Sequence, residues 1–312
     1  MAAYRVCLTI QGSIARAMWW IVPVLISDLA LVGTAQSVEQ VSVPIQYEGR
    51  QIELPGRFDK PAGPGPFPAV IILHGCGGYQ GLGLRETAVW SGTLLGEGYA
   101  TLIIDSVTPR GYVSVCGDPP KLPASQRVLD VYAAAYLLAG RPDIRRDKIA
   151  VLGFSHGGAA TLIAATMGVW PNGVSKGHLA EAITEVRGQE YLSELEKEFQ
   201  AAASRLATRT RIAAYIAFYP TCGPFATESF AGPVLILNGT ADQLSPSPDC
   251  ERLTAVPRPG APERRLRVYP GATHDFDTEM GSDFSRNSLI VNTPAAADSR
   301  EEVKNFLRRY LR

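Results

Sequence analysis

The chain has 312 residues, 46% of them hydrophobic and 19% charged, with 30 Lys and Arg balanced against 30 Asp and Glu. That composition excludes a disordered or collagen-like chain. A net charge of zero, with no clustered Lys and Arg, also excludes the electrostatic footprint of a nucleic-acid binder.

Residues 1–35 read as an export signal. Arg5 and Arg16 precede the apolar run Ala17–Ile26, and small residues end at Gly33-Thr34-Ala35, which suits cleavage before Gln36. The run is shorter than the ~20 apolar residues of a membrane helix, and Asp28 follows close behind it. No stable membrane span is expected, and the mature chain, 36–312, is expected in the periplasm or outside the cell.

Val38–Ile45 and Gln51–Phe58 alternate apolar and polar residues around Glu48-Gly49, the pattern of an antiparallel hairpin. A Pro- and Gly-rich loop, Pro61–Pro66, leads into Phe67–Leu73, a continuous apolar run of the kind that forms a strand buried on both faces. A helical stretch runs to about Gly96. Tyr99–Ile104 is a second buried strand, Ala124–Ala139 a helix, Lys148–Gly153 a third strand and Gly157–Met167 the helix after it. Ile212–Phe218, Pro233–Leu237 and Leu266–Tyr269 are further strands. Ser299–Arg312 is an amphipathic helix, with Val303, Phe306, Leu307 and Leu311 at helical spacing. Strands alternating with helices predict a doubly wound, mostly parallel sheet. The alternation is interrupted at about 170–210. There Leu179, Ala182, Ile183 and Val186 share one helical face, and Tyr191, Leu192, Leu195, Phe199, Ala202 and Leu206 another. This helical insertion is read as either a cap over the site or surface packing.

The strongest local signal is Gly153-Phe154-Ser155-His156-Gly157-Gly158. It is a G-x-S-x-G elbow set between a strand and a helix, where such a turn lifts a nucleophilic serine above the sheet edge. The four histidines then sort by position. His156 adjoins the serine and points away from it, His74 closes the first parallel strand, and His178 lies in the insertion. His274, after the last strand, is the candidate general base. Asp242, in the turn after Pro233–Leu237, is the candidate acid, with Asp249 as a rival; Asp275 adjoins His274 but should point elsewhere. The order Ser155, Asp242, His274 is that of a hydrolase triad of this type. Two backbone N–H groups are needed for the oxyanion. They are assigned to His156 and, within His74-Gly75-Cys76-Gly77-Gly78, to Cys76. That glycine-rich segment lacks the spacing of a nucleotide loop. Asn238-Gly239-Thr240, although a formal glycosylation sequon, is read as a turn.

Cys7 lies in the export segment, which leaves Cys76, Cys116, Cys222 and Cys250. No cysteine or histidine spacing suggests zinc. Each pair, Cys76 with Cys116 and Cys222 with Cys250, follows neighbouring strands at the same sheet edge. Both disulfides are therefore expected in an oxidising compartment.

These residues resemble the dienelactone hydrolase family of α/β-hydrolases. The resemblance rests on FPAVIILHGCGG, IIDSVTPRG, GFSHGG, FYPTCGP, the Asp242 turn and YPGATHDFD. It runs from about Val38 to the C-terminus apart from the insertion. It implies the α/β-hydrolase fold with an eight-stranded sheet, and the triad above. Members that open dienelactones carry cysteine at the elbow and a glutamate after the first-loop histidine; here these positions are Ser155 and Gly75. The resemblance thus implies a serine branch acting on other small or medium carboxylic esters or lactones, with no metal or organic cofactor. Arg110 stands where the family places an arginine for a substrate carboxylate, with a loop salt bridge as the alternative. A peptidase or acyltransferase on the same triad, and a non-catalytic binding protein, are the competing readings. The first lacks the large preceding domain of a prolyl-type oligopeptidase, and the second usually entails loss of a triad member.

Overall fold

A computed structural model describes residues 38–47, 49–117, 121–166, 211–222, 230–255, 260–278, 281–283, 288–290 and 293–312. The segment read as an export signal, 1–35, and the one read as a helical insertion, about 170–210, lie outside these residues.

The hairpin is β1 (Glu39–Tyr47) and β2 (Arg50–Asp59), paired antiparallel from Glu39 with Phe58 to Tyr47 with Arg50. The chain then alternates β3 (Phe67–Leu73), α1 (Gly81–Gly96), β4 (Ala100–Ile104), α2 (Val128–Ala139), β5 (Ile144–Phe154) and α3 (His156–Thr166). After the insertion come β6 (Ile212–Phe218), β7 (Val234–Gly239), α4 (Ser247–Ala255), β8 (Arg264–Tyr269) and α5 (Thr293–Leu311). Between the last two, β9 (Gly281–Asp283) and β10 (Ser288–Ile290) form a separate antiparallel pair. The main sheet has eight strands in the order β1-β2-β4-β3-β5-β6-β7-β8. The β1–β2 and β2–β4 pairs are antiparallel, and every later pair is parallel.

Strand periodicity divides the core into two layers. Ala69, Ile71 and Leu73 of β3, with Ile149 and Val151 of β5, pack with α2, α3 and α4 on one face. Val70, Ile72, Ala150, Leu152 and Phe154 pack on the other face with Trp90 and Leu94 of α1 and Val303, Phe306 and Leu307 of α5. The central strands are buried on both faces, which is why they read as unbroken apolar runs. No helix among the described residues is long and apolar enough to cross a membrane.

Several boundaries differ from the sequence pattern, β5 among them, which starts at Ile144 rather than Lys148. The helix expected over Ala124–Ala139 opens as a 3-10 turn, Ala124–Arg127, and becomes α-helical at Val128. Pro123 leads into that turn, and Gln126 N–H donates back to its carbonyl, a tight entry common at helix starts. β7 runs on to Gly239, two residues past Leu237. α5 starts at Thr293, ahead of Ser299, with Pro294 in its first turn, where a missing N–H costs nothing. α4 was not visible as a helix at all.

Both disulfides are present. Cys222 pairs with Cys250 across the edge where β6 ends and α4 begins, and Cys76 pairs with Cys116. The first bond spans 28 residues, for which chain entropy gives about 3–4 kcal/mol. The double variant Cys222→Ala/Cys250→Ala should therefore lose about 3 kcal/mol in urea unfolding, with a steeper slope because the unfolded chain opens further. A loss below ~1 kcal/mol would show that the bond constrains little of the unfolded chain.

Candidate active site

The site is built where three backbones meet at the C-terminal edge of the sheet. β5 ends at Phe154, Ser155 takes φ 50°, and α3 begins at His156. A left-handed φ is costly for a side-chain-bearing residue. It is held by the Ser155 N–H donating to Phe218 O at 3.0 Å and by Ala159 N–H donating to Ser155 O at 2.9 Å. The flanking glycines are required by close approach. A Cβ at Gly153 would lie 2.2 Å from Gly157 O, one at Gly157 2.6 Å from both Leu73 O and His74 O, and one at Gly158 2.7 Å from Phe218 O.

His274 reaches this serine from the loop after β8. Its Nε2 lies 2.9 Å from Ser155 Oγ and its Nδ1 2.8 Å from Asp242 Oδ2. The other oxygen of Asp242 accepts the N–H groups of Leu244 and Ser245 at 2.9 and 3.0 Å. The turn thus fixes the carboxylate while leaving one oxygen for the imidazole. His274 and Asp242 are both buried. Burial pulls the His274 pKa down, but the hydrogen bond it donates to Asp242 and the charges of Asp275, Asp242 and Asp277 outweigh it, and the net shift is upward. Asp249 is elsewhere, paired with Arg252 on α4. Asp275, at φ 58°, keeps Oδ1 4.0 Å from Nε2 of His274.

The first N–H groups of a helix have no intrahelical acceptor, and His156 is the first residue of α3. The facing loop lies close: a Cβ at Gly75 would be 3.6 Å from Ser155 Cβ. Within that loop the Cys76 carbonyl accepts Val115 N–H at 2.9 Å and Ser114 Oγ–H at 3.3 Å, so the segment 113–116 braces it beside the disulfide. His74 spans the ends of β3 and β4. Its Nδ1–H donates to Gly75 O at 2.7 Å, and its Nε2 accepts Ser106 N–H at 3.2 Å. The His156 ring turns away from the serine, with Nε2–H donating to Leu122 O at 2.8 Å and Nδ1 accepting from Arg127 at 3.0 Å. Burial, with the Arg127 charge second, drops both rings to a pKa of about 3. Neither can serve as a base at neutral pH in competition with His274.

Arg110 is not free to meet a substrate carboxylate. Its Nη1 and Nη2 bind both oxygens of Asp130 at 3.0 and 2.7 Å, Nη1 also donates to Ser106 O, and both side chains are fully enclosed. The guanidinium carbon lies 4.6 Å over the Tyr47 ring. The salt-bridge alternative is the arrangement seen. The Asn238 amide is equally committed, buried and donating to Ser245 O at 2.9 Å, which suits a turn and not a glycosylation acceptor. Sequence reasoning missed the Tyr219 ring against His274 and the side chains linked to it, Glu86, Asp277 and, through Asp277, Trp90. The only hint was Tyr219 directly after a strand, in FYPTCGP.

A doubly wound sheet with a serine elbow, and with histidine and aspartate on the loops after its last strands, defines the α/β-hydrolase superfamily. Residues 200–311 match the model of the dienelactone hydrolase family. In structure the chain is similar to a Klebsiella pneumoniae protein assigned as a dienelactone hydrolase, at 18% identity and TM-score 0.59 over 88% of this chain and 100% of that one. It is also similar to Thermogutta terrifontis esterase 2, at 17% identity and TM-score 0.56 over 87% and 94%. A dienelactone hydrolase-like promiscuous phosphotriesterase from metagenomic libraries is similar at 16% identity and TM-score 0.56 over 88% and 100%. No curated protein matches the chain in sequence. The family match covers the C-terminal third of the chain, and the solved structures share its fold.

The Arg110–Asp130 pair gives a test of its structural place. Asp130→Ala should cost about 3–5 kcal/mol, because it leaves a buried guanidinium unpaired. Arg110→Met combined with Asp130→Leu should recover most of that loss in thermal or urea unfolding. Wild-type stability in Asp130→Ala would mean the pair is not enclosed.

Proposed function

We propose that the protein is a serine hydrolase that cleaves a small or medium carboxylic ester or lactone through an acyl-enzyme on Ser155. The observation that carries this reading is the unbroken line Asp242–His274–Ser155, with hydrogen bonds of 2.8 and 2.9 Å, at a strained elbow.

The chemistry follows from which group holds each proton. Asp242 accepts Nδ1–H and so leaves Nε2 bare to take the Ser155 proton as Oγ attacks the carbonyl carbon. The resulting oxyanion is received by the N–H groups of His156 and Cys76, each donor of this kind being worth about 3 kcal/mol in the transition state. The imidazolium then gives its proton to the departing alcohol oxygen. Water, deprotonated by His274, attacks the acyl-enzyme and releases the acid. In a lactone the departing alcohol stays tethered to the acyl group and leaves with it. Thermogutta terrifontis esterase 2 has been solved with propionate bound and phosphorylated by paraoxon, which supports a short acyl group and a serine-type nucleophile here. The two disulfides suit the oxidising compartment that export through residues 1–35 would reach.

Ser155→Ala should abolish fluorophosphonate labelling and lower p-nitrophenyl ester turnover by on the order of 10⁵–10⁶-fold, with His274→Ala nearly as severe. Asp242→Asn should cost about 10⁴-fold. Retained turnover in Ser155→Ala would refute the acyl-enzyme. The raised His274 pKa sets the pH profile. The base works only when neutral, so kcat/KM should rise with pH through a midpoint above the ordinary imidazole value of ~6.5 and then level off. A midpoint below that value would contradict the stabilisation of the imidazolium by Asp242.

A further inference from the structure

Tyr219 packs against the imidazole of His274, with ring centroids 4.5 Å apart and planes at 52°. It is the first residue past β6, fully buried, at φ 36°, and its N–H donates to Leu237 O at 2.7 Å. Its phenol oxygen meets two carboxyls at once. Glu86 Oε1 of α1 is 2.5 Å away, and Asp277 Oδ1, from the short 3-10 helix Phe276–Thr278, is 2.6 Å away. Trp90 Nε1–H donates to the other oxygen of Asp277 at 2.7 Å. All four side chains are buried.

A phenol has one proton to donate. Two carboxyl oxygens at hydrogen-bond distance cannot both receive it, so one of the two groups must itself be protonated and donate to Tyr219. Asp277 accepts on both oxygens, from Trp90 and from Tyr219, which is what an ionised carboxylate does. The proton then belongs to Glu86. Burial, reinforced by the charges of Asp277 and Asp275, holds the Glu86 pKa well above the usual range, while Asp277 is pushed up only to about 6.

We propose that neutral Glu86, Tyr219 and ionised Asp277 form one hydrogen-bonded chain that holds an aromatic ring against His274 and a fixed negative charge behind it, so that Tyr219 and Asp277 act as positioning residues for the imidazolium. The inference rests on the reading of His274 as the base. A cation within ~6 Å of an aromatic centroid is attracted to its face. A phenol that donates to a buried carboxylate and accepts from a neutral acid is locked in rotation and polarised toward its ring. The groups facing His274 from the other elements are Asp242 after β7, Ser155 at the elbow and Asp275 on its own loop. Around Asp277, Arg300 of α5 donates to its main-chain carbonyl at 3.3 Å, and Arg85 of α1 lines the same cavity as Glu86, Trp90 and Asp277. If the chain served packing alone, its charge would be dispensable, because apolar replacements avoid the desolvation of a buried carboxylate.

The test is an NMR titration of the His274 imidazole, assigned with His274→Gln, beside the pH profile of ester hydrolysis. Asp277→Asn keeps the shape and removes the charge. It should lower the His274 midpoint by about 0.5–1 pH unit, move the acid limb of kcat/KM equally and reduce kcat with KM unchanged. Glu86→Gln keeps a neutral donor and should leave the midpoint where it is. Trp90→Phe, which removes one donor from the Asp277 carboxylate, should shift the midpoint in the direction of Asp277→Asn but less far. It stands in should Asp277→Asn fail to fold. An unmoved midpoint in both Asp277→Asn and Trp90→Phe overturns the proposal. So does a Glu86→Gln shift as large as that of Asp277→Asn, which would put the charge on Glu86. The titration needs no substrate. Failure of wild-type Ser155 to label with fluorophosphonate would overturn the esterase reading while leaving the shift of the imidazole on record.

Discussion

The site depends on backbone packed against backbone at the elbow. To stand above the sheet edge, Ser155 must leave β5 at a left-handed φ and enter α3 within one residue. That turn closes only if the first turn of α3 presses on the ends of β3 and β6, and a Cβ at Gly157 or Gly158 would strike the Leu73, His74 or Phe218 carbonyls. The same contacts give the serine its precision. Ser155 N–H is tied to the end of β6, and Gly75 lies against Ser155 itself. Displacing either strand end would move Ser155 relative to His274, which comes from a different loop. An offset of ~1 Å is enough to degrade a reaction that relies on alignment.

Around this rigid centre the protein sorts its histidines by electrostatics. His74, fully buried, and His156, half-buried, both feel the Arg127 charge and stay neutral far below physiological pH. Each is used as a joint: His74 ties the loop after β3 to the segment just past β4, and His156 ties the elbow to Leu122. His274 is also buried but faces Asp242, Asp275 and Asp277, and its pKa moves the other way. Burial alone would make all three poor bases. The carboxylates separate the one imidazole whose pKa is raised from the two whose pKa is lowered.

The parallel strands were legible because burial on both faces leaves an unambiguous apolar run; β3 and β6 start and stop where the residues say. The side chains that meet as Ser155, His274 and Asp242 were legible because the fold dictates which strand ends carry them, and four histidines leave few choices. Other features were not legible, for distinct physical reasons. α4 buries little beyond Ser247, Cys250 and Leu253, too few positions to show a helical period; its signal was the start, Ser247-Pro248-Asp249, and not the face. Arg110 was placed by analogy, whereas its partner, Asp130, sits 20 residues away on α2, and no sequence spacing marks such an encounter. Tyr219, Glu86 and Asp277 come from three separated segments. Singly each looks like a surface or core residue, and only the tertiary fold turns them into a network.

The disulfides explain how loops with so little apolar content can hold catalytic geometry. The segment from Gly75 to Gly78 has three glycines and no side chain larger than cysteine, so it cannot anchor itself by burial. Its rigidity comes from outside: His74 at one end, Val115 N–H on the Cys76 carbonyl, and the bond to Cys116. Small residues are what the proposed oxyanion role asks for there, since it needs a carbonyl within hydrogen-bond distance of a backbone N–H. Family members that open dienelactones place a glutamate where this chain has Gly75. In this structure a side chain at that position would start 3.6 Å from Ser155 Cβ. A carboxylate so close would oppose charge building on the serine oxygen, a burden a thiolate nucleophile meets differently because it is already ionised. Gly75 beside Ser155 keeps such a charge away from the serine oxygen, and the covalent brace at Cys76 helps to order a loop that has no side chain at that position.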